Sequence, residues 1–165
     1  MTERTPVGHE AEAYHVPLHE LLGIKGLSMA PDGTAEMGFT VDPEKHLGAG
    51  MVHGGLAPLL MDACAGMAAM GMLLAAPEKR YVRATINLTC AYHRPIGMGE
   101  VVAKCKVVHI SSRHAHVSGE VWAGGKLCAS GTVTLVLGQG EFPGPHDGRV
   151  PSEVVRDLAG HEEAT

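Results

Sequence analysis

Residues 50–63, GMVHGGLAPLLMDA, hold the groups best placed to do chemistry. The pair Gly54-Gly55 opens an expected helix, and one carboxylate, Asp62, lies eight residues beyond Gly54. The first N–H groups of a helix have no intrahelical partner, and the helix dipole adds positive potential there. Such an end suits a negatively charged oxygen. Glycine lets a ligand come close to the backbone. Asp62 stands alone among apolar residues, where a carboxylate is costly unless it has a partner or a task. A plainer reading fits the same residues: His53 caps the turn, the glycines permit packing, and Asp62 bonds nearby backbone.

Spacing adds a constraint. Eight residues of helix rise by ~12 Å, whereas a reacting carbonyl and its nucleophile sit ~3 Å apart. If both Gly54 and Asp62 act on one substrate, they come from two chains that run antiparallel. No other nucleophile and base stand in a familiar pattern: there is no G-x-S-x-G and no H-E-x-x-H. His114 and His116 share a strand face without an evident third ligand, so no metal and no cofactor are expected. The four cysteines, Cys64, Cys90, Cys105 and Cys128, form no C-x-x-C pair and read as small buried residues of a reducing compartment.

The elements that must position these groups are legible from periodicity. His15 to Gly23 reads as a short helix, and Leu27 to Val41 as a hairpin turning at Pro31-Asp32-Gly33. A long apolar helix runs from near His53-Gly54 to just before Pro77. The period then becomes two. Thr85, Asn87 and Thr89 alternate with Ile86, Leu88 and Cys90, and Arg94-Pro95 ends the strand. Glu100 to Ile110, His114 to Ala123 and Leu127 to Leu137 are three more strands, with Gly124-Gly125 as a hairpin turn. One helix against an antiparallel sheet is an α+β layout. The division is a segment 1–26, a domain 27–138, and a Gly- and Pro-rich tail 139–165 with a possible short helix from Ser152.

Composition narrows the function. The net charge of −5 lacks the basic stripe of a nucleic-acid binder. Aromatics at 4% leave no base-stacking platform. Gly54 to Ala76 is long enough to span a bilayer. It is mostly Ala, Gly, Leu and Met, carries Pro58, and has Asp62 inside it, which is costly in lipid. A core helix is the expectation, with no membrane. The first residues lack an apolar leader, so the expected location is the cytoplasm.

The sequence resembles the hotdog-fold acyl-CoA thioesterases of the phenylacetate-pathway (PaaI-like) branch. The likeness rests on Val52-His53-Gly54-Gly55 with Asp62 nine residues after the His, on the strand Thr85 to Pro95 (TINLTCAYHRP), and on the turn Ser111-Ser112-Arg113. It implies a curved antiparallel sheet around the long helix, and a dimer, often doubled to a tetramer, with active sites at the interface. It implies an acyl-CoA substrate, aryl or medium-chain, with no separate cofactor. The Gly54 N–H would polarise the thioester carbonyl, with His53 and Gly55 in the same turn. Asp62 would be general base or nucleophile, and Thr85 would help to place the water. Tyr92, Arg94, Ser111, Ser112, Arg113 and His114 match positions near the coenzyme A moiety. One position departs from the pattern: Leu47 stands where the branch often has Asn, with His46 beside it as the candidate stand-in. Two other functions stay open: a non-catalytic acyl-CoA-binding module, and an acyl-CoA hydratase or dehydratase. Met51, Met61, Met67, Met70 and Met72 read equally well as an adaptable acyl pocket or as core.

Overall fold

The structure is a computed structural model that describes residues 16–140. The expected helix from Ser152 lies outside them, as does the start of the segment 1–26. In chain order the elements are α1 (Pro17–Leu21), β1 (Lys25–Met29), β2 (Thr34–Thr40), α2 (Pro43–His46), β3 (Leu47–Gly48), β4 (Met51–Val52), α3 (Leu56–Ala75), β5 (Arg80–Tyr92), β6 (Glu100–Ile110), β7 (His114–Ala123) and β8 (Lys126–Gln139). The expected hairpin is β1–β2. Asp32 Oδ1 accepts from the Thr34 N–H at 3.0 Å and Gly33 takes a φ of 79° to close its turn. Gly124 and Gly125, at φ 55° and 71°, join β7 to β8 in the conformation that suits a two-residue hairpin. α2 and the two-residue ribbon β3–β4 are too short for periodicity to reveal.

Six strands form one antiparallel sheet in the order β1-β2-β6-β7-β8-β5. Its inner face is apolar because strand residues alternate: Ala115, Val117 and Val121 point to the core, while His116, Ser118 and Glu120 point out. α3 lies across that inner face. Leu60, Met61, Cys64, Ala65, Ala68 and Ala69 on it are fully buried. Burying a side chain such as Leu60 or Met61 contributes about 1.5–3 kcal/mol.

Two glycines set how closely α3 sits. Gly119 and Gly131 pair across β7 and β8 and leave a bare patch of sheet. The Met61 side chain lies on it; a Cβ on Gly119 would stand 2.5 Å from Met61 Cγ. A Cβ on Gly131 would collide with the carbonyl of Thr89 in β5. Cys105 completes the row, and its Sγ bonds the Met61 carbonyl at 3.6 Å. The neighbouring Cys64 and burial both push the Cys105 thiol up, so it stays protonated. All four cysteines are free thiols; Cys64, Cys105 and Cys128 are buried as expected, and Cys90 is half-buried.

Two expectations need correction. α3 is not covered all round. By length and composition it is a helix that could cross a membrane, and 56% of its most apolar window is buried. A stripe containing Leu59, Asp62, Ala63, Gly66, Met67 and Met70 is only half-buried. β5, in turn, does not alternate simply. Its register against β8 slips between Val82 and Ala84 and again between Thr85 and Asn87. These bulges leave Arg83 and Ile86 unpaired and turn Thr85 to the inner face, the same side as Leu88, while Asn87 and Thr89 face out. β5 is also an edge strand, and Ile86 is 56% exposed.

Gly131→Ala tests this seating. Either β5 or α3 must shift to admit the methyl, a cost of about 1–3 kcal/mol. The urea midpoint is expected to fall accordingly; an unchanged midpoint would mean that the close approach does not constrain the fold.

Candidate active site

The bulges in β5 bring the two expected polar groups together. The Thr85 hydroxyl donates to Asp62 Oδ1 at 2.7 Å. Asp62 is half-buried on the open stripe of α3, so its charge has both a donor and access to solvent. His19 of α1 lies within its field. Burial lowers the His19 pKa, and the Asp62 carboxylate pulls it the other way.

The second group of residues lies at the N-terminus of α3. The helix begins at Leu56 with Gly55 as its cap, two residues later than His53-Gly54 implied. His53 Nδ1 accepts from the Gly55 N–H at 3.1 Å. The Tyr92 hydroxyl donates to the Gly54 carbonyl at 2.8 Å. Among the described residues the Gly54 N–H has no acceptor. Gly54 and Gly55 also differ in why they are glycine. A Cβ on Gly55 would stand 3.1 Å from His53 Nδ1, so the imidazole that holds the Gly55 N–H would have to give way. A Cβ on Gly54 would meet nothing closer than the Tyr92 ring at 3.8 Å, and Gly54 does not need a positive φ. Nothing among the described residues requires glycine at position 54.

The remaining expected residues do not converge in one chain. The Ser111 hydroxyl accepts from the N–H of Arg113 at 3.3 Å and of His114 at 3.0 Å, and it donates to the His114 carbonyl. Ser111 is thus occupied in building the turn that exposes Ser112 and Arg113. Arg80 Nη1 donates to the Ser111 carbonyl at 2.8 Å and ties this turn to the start of β5. Tyr92 and Arg94 belong to the far end of the same strand. At ~3.3 Å per residue, the span from Arg80 to Tyr92 is on the order of 40 Å. Arg94 is exposed, and its N–H reaches the Cys128 carbonyl at 3.2 Å.

Comparison with known proteins decides the family. The model of the thioesterase superfamily matches residues 49–129, from the approach to the His-Gly-Gly turn through β8's first residues. A structure of the phenylacetic acid degradation protein PaaI, in a mutant form, from Thermus thermophilus is 32% identical, has a TM-score of 0.62, and covers 73% of this chain and 98% of its own. The chain belongs to the thioesterase superfamily. The proofreading thioesterase EntH of Klebsiella pneumoniae is 29% identical over 108 residues, 64% of this chain and 76% of EntH. The BH2602 protein of Bacillus halodurans, solved with CoA, is 25% identical with a TM-score of 0.62, and covers 78% of this chain and 80% of its own. The fold is the hotdog, and the protein is a PaaI-like thioester hydrolase.

Within this thioesterase, His46 does not stand in for the missing Asn. It is only 2% exposed. Its Nδ1 accepts from the Asp42 N–H at 2.8 Å and its Nε2 donates to the Leu22 carbonyl at 3.0 Å. Both ring nitrogens are spent on tying α2 to the end of α1. The His46 backbone carbonyl, however, accepts from the His53 N–H at 2.8 Å and so anchors the Gly54 turn. Leu47 packs against the core. The sequence offered no sign of Arg80 as the tether of the Ser111 turn. It lies in a run of charged residues, Glu78-Lys79-Arg80, that reads as solvated surface.

Gly54→Ala separates the demands of the fold from those of a ligand. The methyl meets only ordinary contacts, so the variant is expected to melt with the parent in a thermal scan. A clear drop in its melting temperature would show that the turn itself requires this glycine.

Proposed function

We propose that this thioesterase hydrolyses an aryl- or medium-chain acyl-CoA to the free acid and CoA, with Asp62 as general base or nucleophile and the Gly54 N–H as oxyanion donor. One observation carries the reading: the Thr85 hydroxyl gives its proton to Asp62 Oδ1. The Thr85 oxygen then offers only lone pairs, and Asp62 Oδ2 is a second acceptor. A water that donates to both turns its own lone pair outward, toward a thioester carbonyl. In the general-base form its oxygen adds to the carbonyl carbon as Asp62 takes its proton. The C–S bond then breaks, and the CoA sulfur leaves with that proton. A positioned base contributes ~10²–10⁴ in rate. An oxyanion donor contributes on the order of 10²–10³.

The site is completed by a second copy of the chain. On one chain Asp62 lies ~9 Å along α3 from its first residue, Leu56, and Gly54 lies beyond that end. The half-buried stripe of α3 and the edge of β5 lie open on the side where Asp62 meets Thr85. A two-fold axis beside β5, midway between Thr85 and Tyr92, would set Thr85 of one copy opposite Tyr92 of the other. Asp62, Thr85 and the Ser111 turn would then come from one protomer, and Gly54, Tyr92 and Arg94 from its partner. This arrangement also lets Arg113, on the turn held by Arg80, meet a CoA phosphate as a bidentate donor. A dimer of such dimers accords with the family. The cytoplasm supplies acyl-CoA and keeps the four thiols reduced.

A thiol-release assay over a panel of acyl-CoAs tests the activity. Asp62→Asn keeps the side chain's shape and removes the base, so kcat is expected to fall ~10²-fold or more. Turnover near the parent's would remove Asp62 from the mechanism. CoA-ester binding by the parent without thiol release would favour the non-catalytic module. The shared site has its own test. Asp62→Asn and Gly54→Pro, each slowed ~10²-fold or more, are denatured, mixed equally and refolded. Half the dimers are then mixed, and one of their two sites is intact, which returns roughly a quarter of parental activity. A silent mixture, with mixed dimers seen by native mass spectrometry, would rule the shared site out.

A further inference from the structure

The Gly54–Gly55 amide is held at both edges. Its carbonyl accepts from the Tyr92 hydroxyl at 2.8 Å and from the Ala57 N–H at 3.3 Å, and its N–H donates to His53 Nδ1 at 3.1 Å. The preceding amide carries the Gly54 N–H, and its His53 carbonyl accepts from the Leu56 N–H at 3.0 Å; one residue earlier, the His53 N–H is bound to the His46 carbonyl at 2.8 Å. With the planes on both sides of the Gly54 Cα held, the direction of the Gly54 N–H is set. No side chain at Gly54 does this work, so it falls to groups outside the residue. Four of the five restraints are local to the turn and its approach. The Tyr92 hydroxyl alone reaches in from β5, from the strand that carries Thr85.

We infer that Tyr92 is a positioning residue: its hydroxyl, by holding the Gly54 carbonyl, aims the Gly54 N–H at the thioester oxygen. This rests on the oxyanion reading given above, and it moves Tyr92 from a contact with coenzyme A to a contact with the turn. A tyrosine placed to bind substrate would keep its hydroxyl proton for the ligand; here the proton is committed to backbone. Burial first, and then the adjacent Cys90, raise the Tyr92 pKa, so the phenol remains a donor across the neutral and mildly alkaline range. The phenol end of the ring lies on the turn: an added Cβ at Gly54 would have Tyr92 Cε1 and Oη as its nearest neighbours, both at 3.8 Å. Tyr92 is 56% exposed, and its hydroxyl adds nothing to the core. The same strand thereby fixes both halves of the chemistry, Thr85 for the carboxylate and Tyr92 for the oxyanion turn.

Tyr92→Phe keeps the ring and deletes the donor. With an acyl-CoA that the parent turns over, kcat is expected to fall roughly tenfold, the rate equivalent of one neutral hydrogen bond. KM should stay within about twofold and the melting temperature should not move, since uniform substrate binding and the core are untouched. In a Gly54→Pro background, where the N–H to be aimed is gone, adding Tyr92→Phe should cost nothing further. Parental kcat in Tyr92→Phe, beside a strongly slowed Gly54→Pro, would overturn this inference alone. So would a raised KM at unchanged kcat, which would return the hydroxyl to the substrate, or equal losses in both backgrounds. Full turnover in Gly54→Pro would overturn the oxyanion reading, and the role of Tyr92 would fall with it.

Discussion

The contact of Met61 with two bare glycines governs everything around it. Met61 and Asp62 are neighbours on α3, about 100° apart around the helix. One points into the sheet and the other toward its edge. Because Gly119 and Gly131 lack side chains, Met61 sinks onto the backbone of β7 and β8. That depth decides where Asp62 stands beside Thr85. A hydrogen bond of 2.7 Å does not survive a displacement of ~1 Å. Core packing and the carboxylate's geometry are therefore one constraint. Interiors are dense enough to transmit such a shift rather than absorb it.

The same helix explains why one chain looks unfinished. Its sequence is apolar around its whole circumference, yet the sheet covers only one face. The uncovered stripe and the edge of β5 adjoin each other, and Ile86 and Met51 are more than half exposed nearby. An apolar stripe and a long unpaired edge are both liabilities in isolation. A single covering surface relieves both and also excludes water from Asp62. Water exclusion strengthens the electrostatics on which a base and an oxyanion donor depend. In the proposed dimer, assembly and catalysis are thus driven by the same buried surface.

Much of this was legible in the residues because it follows from period and local chemistry. β6 and β7 fall where alternation placed them, and the turns at Gly33 and Gly124-Gly125 fall on glycines with positive φ. The pairing of Asp62 with Thr85 was not legible from alternation. That pattern put Thr85 on the face of Asn87 and Thr89, whereas the register slip at Ile86 reverses it. A bulge has no residue signature here, since Ile is a good strand former. The reach of His46 was misjudged for a related reason. The residues just before it, Glu44 and Lys45, are polar, but both of its partners, at Leu22 and Asp42, are backbone groups, which side-chain patterns do not report. The Tyr92 and Arg80 contacts depend on which strand lies at the edge of the sheet, and that is set by topology.

The replacement of the expected Asn by Leu47 bears on how such a site works. A carboxamide can give and accept hydrogen bonds, so it can hold a water by its oxygen or by a proton. Leu47 can do neither and packs into the core. Thr85 has spent its proton on Asp62 and is left an acceptor. Under the proposed mechanism the water is then held through its two protons, by Thr85 and by the carboxylate. That leaves its lone pairs unencumbered, which favours attack. It also means that neither Thr85 nor Asp62 offers a donor to negative charge. The oxyanion is then met from the other half, where the Gly54 N–H has no acceptor among the described residues. A site that has lost a bifunctional side chain in one half depends more on the alignment of a backbone group in the other.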